Sequence, residues 1–275
     1  MYENPAKSEV RQGFLTALVA FLTLVYALVV RDLRTEHKNA ALGIILQIAQ
    51  PLVAGLIFYF FIQLMGGKGG GQVRGDFMTF VLIGFIVFFM HIRTVAVVSN
   101  SLREDMLYHK RLTPFLIVCV KALSSAYKMV LALLVLLLLN YLLRDVYEME
   151  DPLHFMHVMF WCWLGGVAVG IVFMAANRYL TWGPLLQTAY VRVMFFTSGK
   201  FFVANSTPGY IRHLMDWNPL FHLLDQGRDA ALVHYTARTT SMGYPIMVFL
   251  VILVIAMLIE NYVRRTYSQS HLVGN

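Results

Sequence analysis

Apolar residues in this chain fall in blocks long enough to cross a lipid bilayer, and that segregation restricts the fold more than any motif does. A span needs roughly 20 apolar residues to cross a ~30 Å hydrocarbon core. Leu42 to Leu64, Phe77 to Val98, Phe115 to Leu143, Pro152 to Ala176 and Tyr244 to Tyr262 are blocks of that kind. Of the 275 residues, 59% are hydrophobic and 13% are charged, where a soluble domain carries about 25% charged residues. Backbone in hydrocarbon must satisfy its own hydrogen bonds, so such blocks become helices. The expectation is an all-α membrane protein. It has an N-terminal interfacial amphipathic helix, six transmembrane helices, and short re-entrant helices between the fifth and sixth spans.

Phe14 to Val30 is uncharged and runs directly into Arg31, Asp32, Arg34, Glu36 and Lys38. At ~1.5 Å per residue it covers roughly 25 Å, short of a comfortable span. Signal peptide, span and interfacial helix are the three readings. The direct passage into charge, with no small-residue cleavage site, argues against a signal peptide. Length alone does not separate the other two. Pro51 lies inside the first clear span, where neighbouring groups re-satisfy the carbonyl it frees. Thr113-Pro114 and Asp151-Pro152 read as helix openings, a cap residue followed by a first-turn proline. Gly183-Pro184 opens a fifth apolar run that ends early, near Thr197.

From Ser198 to Gly243 the chain is too polar to span and too apolar for an ordinary loop. Within it, Asn218-Pro219 opens a helix of about three turns whose Leu220, Leu223, Leu224, Gly227 and Ala231 share one face. Backbone that fails to span at membrane depth must be covered by protein or line a watery cavity.

Lys and Arg set the orientation. Six spans with both termini cytoplasmic place Lys7, Arg11, Arg31, Arg34, Lys38, Arg178, Arg264 and Arg265 inside. The charged insert Ser99 to Pro114 falls inside with them, and the acidic loop of Asp145, Glu148, Glu150 and Asp151 falls outside. If Phe14 to Val30 also spanned, the same C-terminal topology would need the N-terminus outside, so the interfacial placement is favoured over the span. Residues 1–39 then form a cytoplasmic N-terminus with the interfacial helix, and residues 40–275 the six-span domain. The net charge of +7 follows from the same rule and calls for no nucleic-acid partner.

Several charges fall inside the apolar blocks. Phe115 to Leu143 would measure roughly 43 Å as a helix, so part of it projects from a ~30 Å core. Lys121, Ser124, Ser125 and Lys128 form one polar stripe on it. They are either a cytoplasmic extension with a snorkelling Lys128 or a basic lining at a channel mouth. His91 and Arg93 in the second span and Arg192 in the fifth are placed where a charge costs ~2.5–3.5 kcal/mol. Arg192 is a path residue or one half of a structural ion pair. Phe58, Tyr59, Tyr190 and Phe196 belong to aromatic clusters that serve as an interfacial belt or as stacking surfaces for sugars.

No P-loop is present: Gly199-Lys200 lacks both the upstream glycine and a following Ser or Thr. His154 and His157 share a helix face but lack a third metal ligand, and the two cysteines, Cys119 and Cys162, suggest neither a zinc spacing nor a disulfide framework. No nucleophile with a base is evident. If the protein does energetic work, a partner supplies the energy.

Three stretches resemble one family in order and spacing. The first is Val30-Arg31-Asp32-Leu33-Arg34, then Ala41-Leu42-Gly43 and Gln50-Pro51. The second is Ser99-Asn100-Ser101-Leu102, leading through Lys110-Arg111-Leu112-Thr113-Pro114. The third is Leu214 to Leu220, containing Trp217-Asn218-Pro219, followed by Arg228. The chain resembles ABC-2-type transporter permeases, and among them the capsule and O-antigen polysaccharide exporters.

The resemblance implies a homodimer in the bacterial inner membrane with a channel between the copies. Two ATP-binding cassette ATPase subunits would dock on a coupling helix within 99–114, through Arg103, Glu104, Asp105, Tyr108 and Lys110. ATP and Mg would be bound by those partners, with no cofactor on this chain. Periplasmic or outer-membrane export proteins and a lipid-linked, acidic polysaccharide would complete the system. Path candidates are Phe58, Tyr59, Lys121, Lys128, Tyr190, Arg192 and Phe196. Trp217, Asn218, Pro219 and Arg228 would shape the re-entrant region 198–243. The alternatives are a lipid or drug efflux permease of the same fold, and a membrane scaffold or intramembrane enzyme.

Overall fold

A computed structural model describes residues 14–35, 40–64, 77–102, 113–144 and 149–273. Among these, every regular element is helical. In chain order they are α1 (Phe14–Thr35), α2 (Ala40–Leu64), α3 (Phe77–Ser99), α4 (Pro114–Arg144), α5 (Pro152–Tyr179), α6 (Gly183–Thr197), α7 (Gly209–His213), α8 (Pro219–Ala231) and α9 (Gly243–Val273), with a 3-10 turn at Ala204–Ser206. The all-α membrane architecture expected from the sequence is present.

The helix openings follow local chemistry. Thr113 Oγ1 accepts from Leu116 N at 3.3 Å before Pro114 begins α4. The Asp151 carboxylate accepts from His154 N at 2.9 Å before Pro152 begins α5. Asn218 Oδ1 accepts from Leu220 N at 2.9 Å before Pro219 begins α8. In each case the cap satisfies an amide that has no intrahelical partner, and proline occupies a first-turn position where its missing N–H costs nothing.

Helices α2, α3, α4, α5 and α9 are each long and apolar enough to cross a membrane. The fifth apolar run, α6, has 15 residues and rises only about 22 Å. Helix α3 is the hub of the bundle. It packs against α2, α4, α5 and α8, and its Phe80, Ile86, Val87, Phe88 and Val95 are fully enclosed. Glycines set its closest approach: a Cβ on Gly166 of α5 would lie 2.9 Å from His91 O, and one on Gly170 would lie 2.7 Å from Val98 Cβ. Small residues four apart let two membrane helices meet backbone to backbone. The first residues of the charged insert are anchored to this pair, since Ser101 Oγ donates to Met174 Sδ of α5 at 3.2 Å.

Helix α1 lies against α4 and α2. Val25 is buried with Leu116 and Val120 of α4, while Leu18, Val19, Leu22 and Tyr26 on its other faces are exposed. The face toward the bundle is therefore narrow and the rest of the helix stays apolar and open.

Candidate functional site

Beyond α6 the chain turns sharply and folds back as α7 and α8. The turn needs Gly199, whose φ of +70° is left-handed and whose absent Cβ would sit 2.5 Å from the Phe221 ring. Arg228, one of the largest fully buried side chains, reaches from α8 into this turn. Its Nη2 donates to Lys200 O at 2.8 Å, and Nη1 donates to Gly199 O and Phe202 O, both at 3.1 Å. Nε donates to Phe80 O of α3 at 3.3 Å, and the guanidinium lies 3.8 Å from the Phe80 ring centroid. Burial lowers its pKa to about 10, so it stays charged at neutral pH. A rigid fork of donors suits this task; a single ammonium cannot serve four carbonyls.

Asp225, three residues earlier, faces a second set of donors. Its carboxylate accepts from the Tyr235 hydroxyl and from Thr240 Oγ1 at 2.7 Å. Burial pushes its pKa up, against the pull of those two bonds and of the Arg228 charge. Asn218 ties the start of this fold to the end of α6, since its Nδ2 donates to Thr197 Oγ1 at 2.7 Å. Together these bonds hold the segment between α6 and α9 as a built structure. Against the Arg228-held turn lies a cavity of about 280 Å³, walled by Phe77, Phe201, Phe202, Pro208 and Ile211.

Lys200 is fully buried inside an aromatic cage. Its Nζ donates to Phe195 O at 2.8 Å and lies 3.2 Å from the Phe195 and 3.5 Å from the Phe88 ring centroid. Burial lowers its pKa to about 6, while the negative ring faces favour the ammonium and act against that push. A lysine with a depressed folded-state pKa binds fewer protons folded than unfolded. Stability therefore rises with pH from about 6 toward the unfolded lysine value near ~10.4. In detergent, the thermal midpoint of the wild type should climb between pH 6 and 9, and Lys200→Met should flatten that climb. An unchanged slope in the variant would place the titration elsewhere.

The other anticipated residues are spread over the bundle. Phe58 packs in the core between Phe85 and Phe201, at 5.9 and 4.6 Å between centroids. Tyr59 is half-buried beside Phe77. Tyr190 bonds through its hydroxyl to His91 Nε2 at 2.8 Å, and His91 Nδ1 faces Cys162 O at 3.1 Å. Lys121 pairs with Asp32 of α1 at 2.5 Å. Lys128 is buried in α4. Arg192 and Phe196 are four residues apart on the outward face of α6, and both are exposed. Trp217 is exposed, its indole N–H donating to Leu214 O at 2.8 Å. Arg103, Glu104, Asp105, Tyr108 and Lys110 lie outside the described residues.

Lys200 and Asp225 escaped the sequence reading, although a lone lysine amid Phe195-Phe196 and Phe201-Phe202 is a legible hint of a cage. Among the described residues, no group of three His, Cys, Asp or Glu side chains is arranged to hold a metal ion.

Known proteins are similar to this chain in sequence. Two polysialic acid transport proteins KpsM from Escherichia coli are each 23% identical to the chain, over 237 and 242 residues. The alignments cover 85% of this chain and 90% of each relative. Residues 23–232, from α1 to the end of the Arg228-bearing helix, match the ABC-2 type transporter family, and the chain is a member of that family.

Proposed function

We propose that the chain is the membrane permease subunit of an ATP-driven exporter for an acidic, lipid-linked polysaccharide, working as a homodimer in a bacterial inner membrane. The observation that carries this reading is the outward face of α6. Arg192 stands exposed there with Phe196 one turn on, on a helix of a membrane transport subunit. A guanidinium facing lipid at that depth costs ~2.5–3.5 kcal/mol. A water-filled path between two copies removes that cost and offers a cation to an anionic polymer. The relatives named for polysialic acid transport support the same substrate chemistry, since each sialic acid carries a carboxylate. The sequence has no P-loop of its own, and in this reading ATP and Mg would be bound by separate ATPase subunits docked on the insert at 99–114. Periplasmic and outer-membrane proteins would carry the polymer onward.

Arg192→Glu should lower surface polysaccharide by about tenfold or more, the scale set by reversing a charge in a low-dielectric path. Membrane abundance and co-purification of the ATPase should stay at wild-type levels. Normal surface polysaccharide in that variant would sink the reading.

A further inference from the structure

Lys121, a candidate for the polymer path, is paired with a carboxylate from another helix. Its Nζ donates to Asp32 Oδ1 at 2.5 Å, across 89 residues of sequence. The two side chains are only 15% and 6% exposed. The bond joins α4 to α1. On the same contact, Val25, two turns before Asp32, is buried with Val120, the residue next to Lys121, and with Leu116 one turn before Val120. The pair and this apolar patch are two independent attachments between the same two helices. They restrict both sliding and rotation of α1 on α4.

The position of the pair gives it consequence. α4 starts at Pro114, directly after the charged insert, and Lys121 lies seven residues on, about 10 Å along the axis. An axial displacement of the insert therefore reaches Lys121 within two turns. A partly buried ion pair is costly to break on one side, because the remaining charge is left without its partner. We infer that Asp32 and Lys121 are a positioning pair that makes α1 and α4 move as one body, so that a push on the insert is delivered to the N-terminal helix as well as to the bundle. This rests on the transport reading above, which supplies the push.

The experiment uses the full chain in its host, in a strain lacking the chromosomal copy. Asp32→Asn, Lys121→Met and the exchanged pair Asp32→Lys with Lys121→Asp are compared for three quantities. These are membrane abundance, surface polysaccharide, and ATP hydrolysis by the affinity-purified assembly. Either single variant should lower polysaccharide exported per ATP by about tenfold at unchanged abundance, and the exchanged pair should recover to within about twofold.

A second measurement does not depend on the ion pair. Cysteines replacing Val25 and Val120, in a Cys119→Ser, Cys162→Ser background, are cross-linked in the membrane. If α1 and α4 move together, export survives the cross-link. Export abolished by the cross-link means that the helices must slide, and the inference is wrong. Three other outcomes also overturn it. One is loss in Lys121→Met but not in Asp32→Asn, which returns Lys121 to the polymer path. Another is failure of the exchanged pair to recover. The last is a loss of export that tracks loss of abundance. A wild-type chain that exports no polysaccharide sinks the transport reading itself, and the control separates that failure from these.

Discussion

Arg228→Met should remove the protein from the membrane and abolish transport. The substitution keeps length and apolar contact with Phe80 but withdraws the donors that hold Lys200 O, Gly199 O, Phe202 O and Phe80 O. Gly199 O would still accept from Phe202 N at 3.2 Å, but Lys200 O and Phe202 O would lose their donors, at about 1–3 kcal/mol each. Two such losses together are a large part of the ~5–15 kcal/mol that separates a folded domain from its unfolded state. Gly199 in its left-handed conformation cannot hold the turn alone. Arg228→Lys should fall between, since one ammonium reaches one or two of the carbonyls. Immunoblots of membrane fractions and thermal unfolding in detergent give the readout. Wild-type stability in Arg228→Met would show that the turn is held by something else.

Gly166→Val should be the second severe lesion, at the opposite end of the chemistry. Here nothing is withdrawn; volume is added. The first added atom would already lie 2.9 Å from His91 O and 2.9 Å from Thr94 Cβ. The obstacle is a backbone carbonyl on the most enclosed helix of the bundle, so it cannot rotate away. Separating α3 from α5 would stretch the bond that His91 makes to Cys162 O. Overpacking of a close-packed interior costs about 1–3 kcal/mol, and more where backbone must move. Reduced abundance and a lowered thermal midpoint are expected. Gly209→Ala and Gly243→Ala serve as controls, because an added Cβ at either meets nothing within 4 Å. If Gly166→Val behaves like the controls, the close α3–α5 approach does not matter for folding.

The parts of the fold that sequence revealed are those written in local chemistry. Thr113-Pro114, Asp151-Pro152 and Asn218-Pro219 each announce a helix, and each opens one. The shared face of Leu220, Leu223, Leu224, Gly227 and Ala231 is buried, but so are His222, Asp225 and Arg228 off that face, which periodicity does not foretell. What sequence could not show is which apolar helix is surrounded by protein. α3 and α9 have mean hydropathies of 2.3 and 2.6 over their spans, yet 78% of the apolar window of α3 is buried and only 17% of that of α9. Hydropathy measures distance from water, and lipid and protein are equally dry.

Long-range partners were hidden for a related reason. Nothing near Lys121 in sequence points to Asp32, and nothing near Arg228 points to Gly199 or Phe80. Phe58 reads from sequence as part of an interfacial belt or a stacking surface because its neighbours are aromatic too, and nothing nearby announces that Phe201 packs on it from far along the chain.

The short turn between α5 and α6 bears on how the protein is made. Only Leu180, Trp182 and the residue between them separate the two helices, and Asn177 Nδ2 donates to Gln187 Oε1 at 2.8 Å across the turn. α6 is a poor candidate for entering a bilayer alone. It is about 22 Å long and carries Arg192, a residue costing ~2.5–3.5 kcal/mol at the centre of a helix. α5 before it is long and strongly apolar. Insertion of the two as a helical hairpin would let the insertion energy of α5 carry its partner across. In that case Arg192 would reach membrane depth through the helix before it, and lengthening the turn at Leu180–Trp182 should strand α6 outside before any substrate was met.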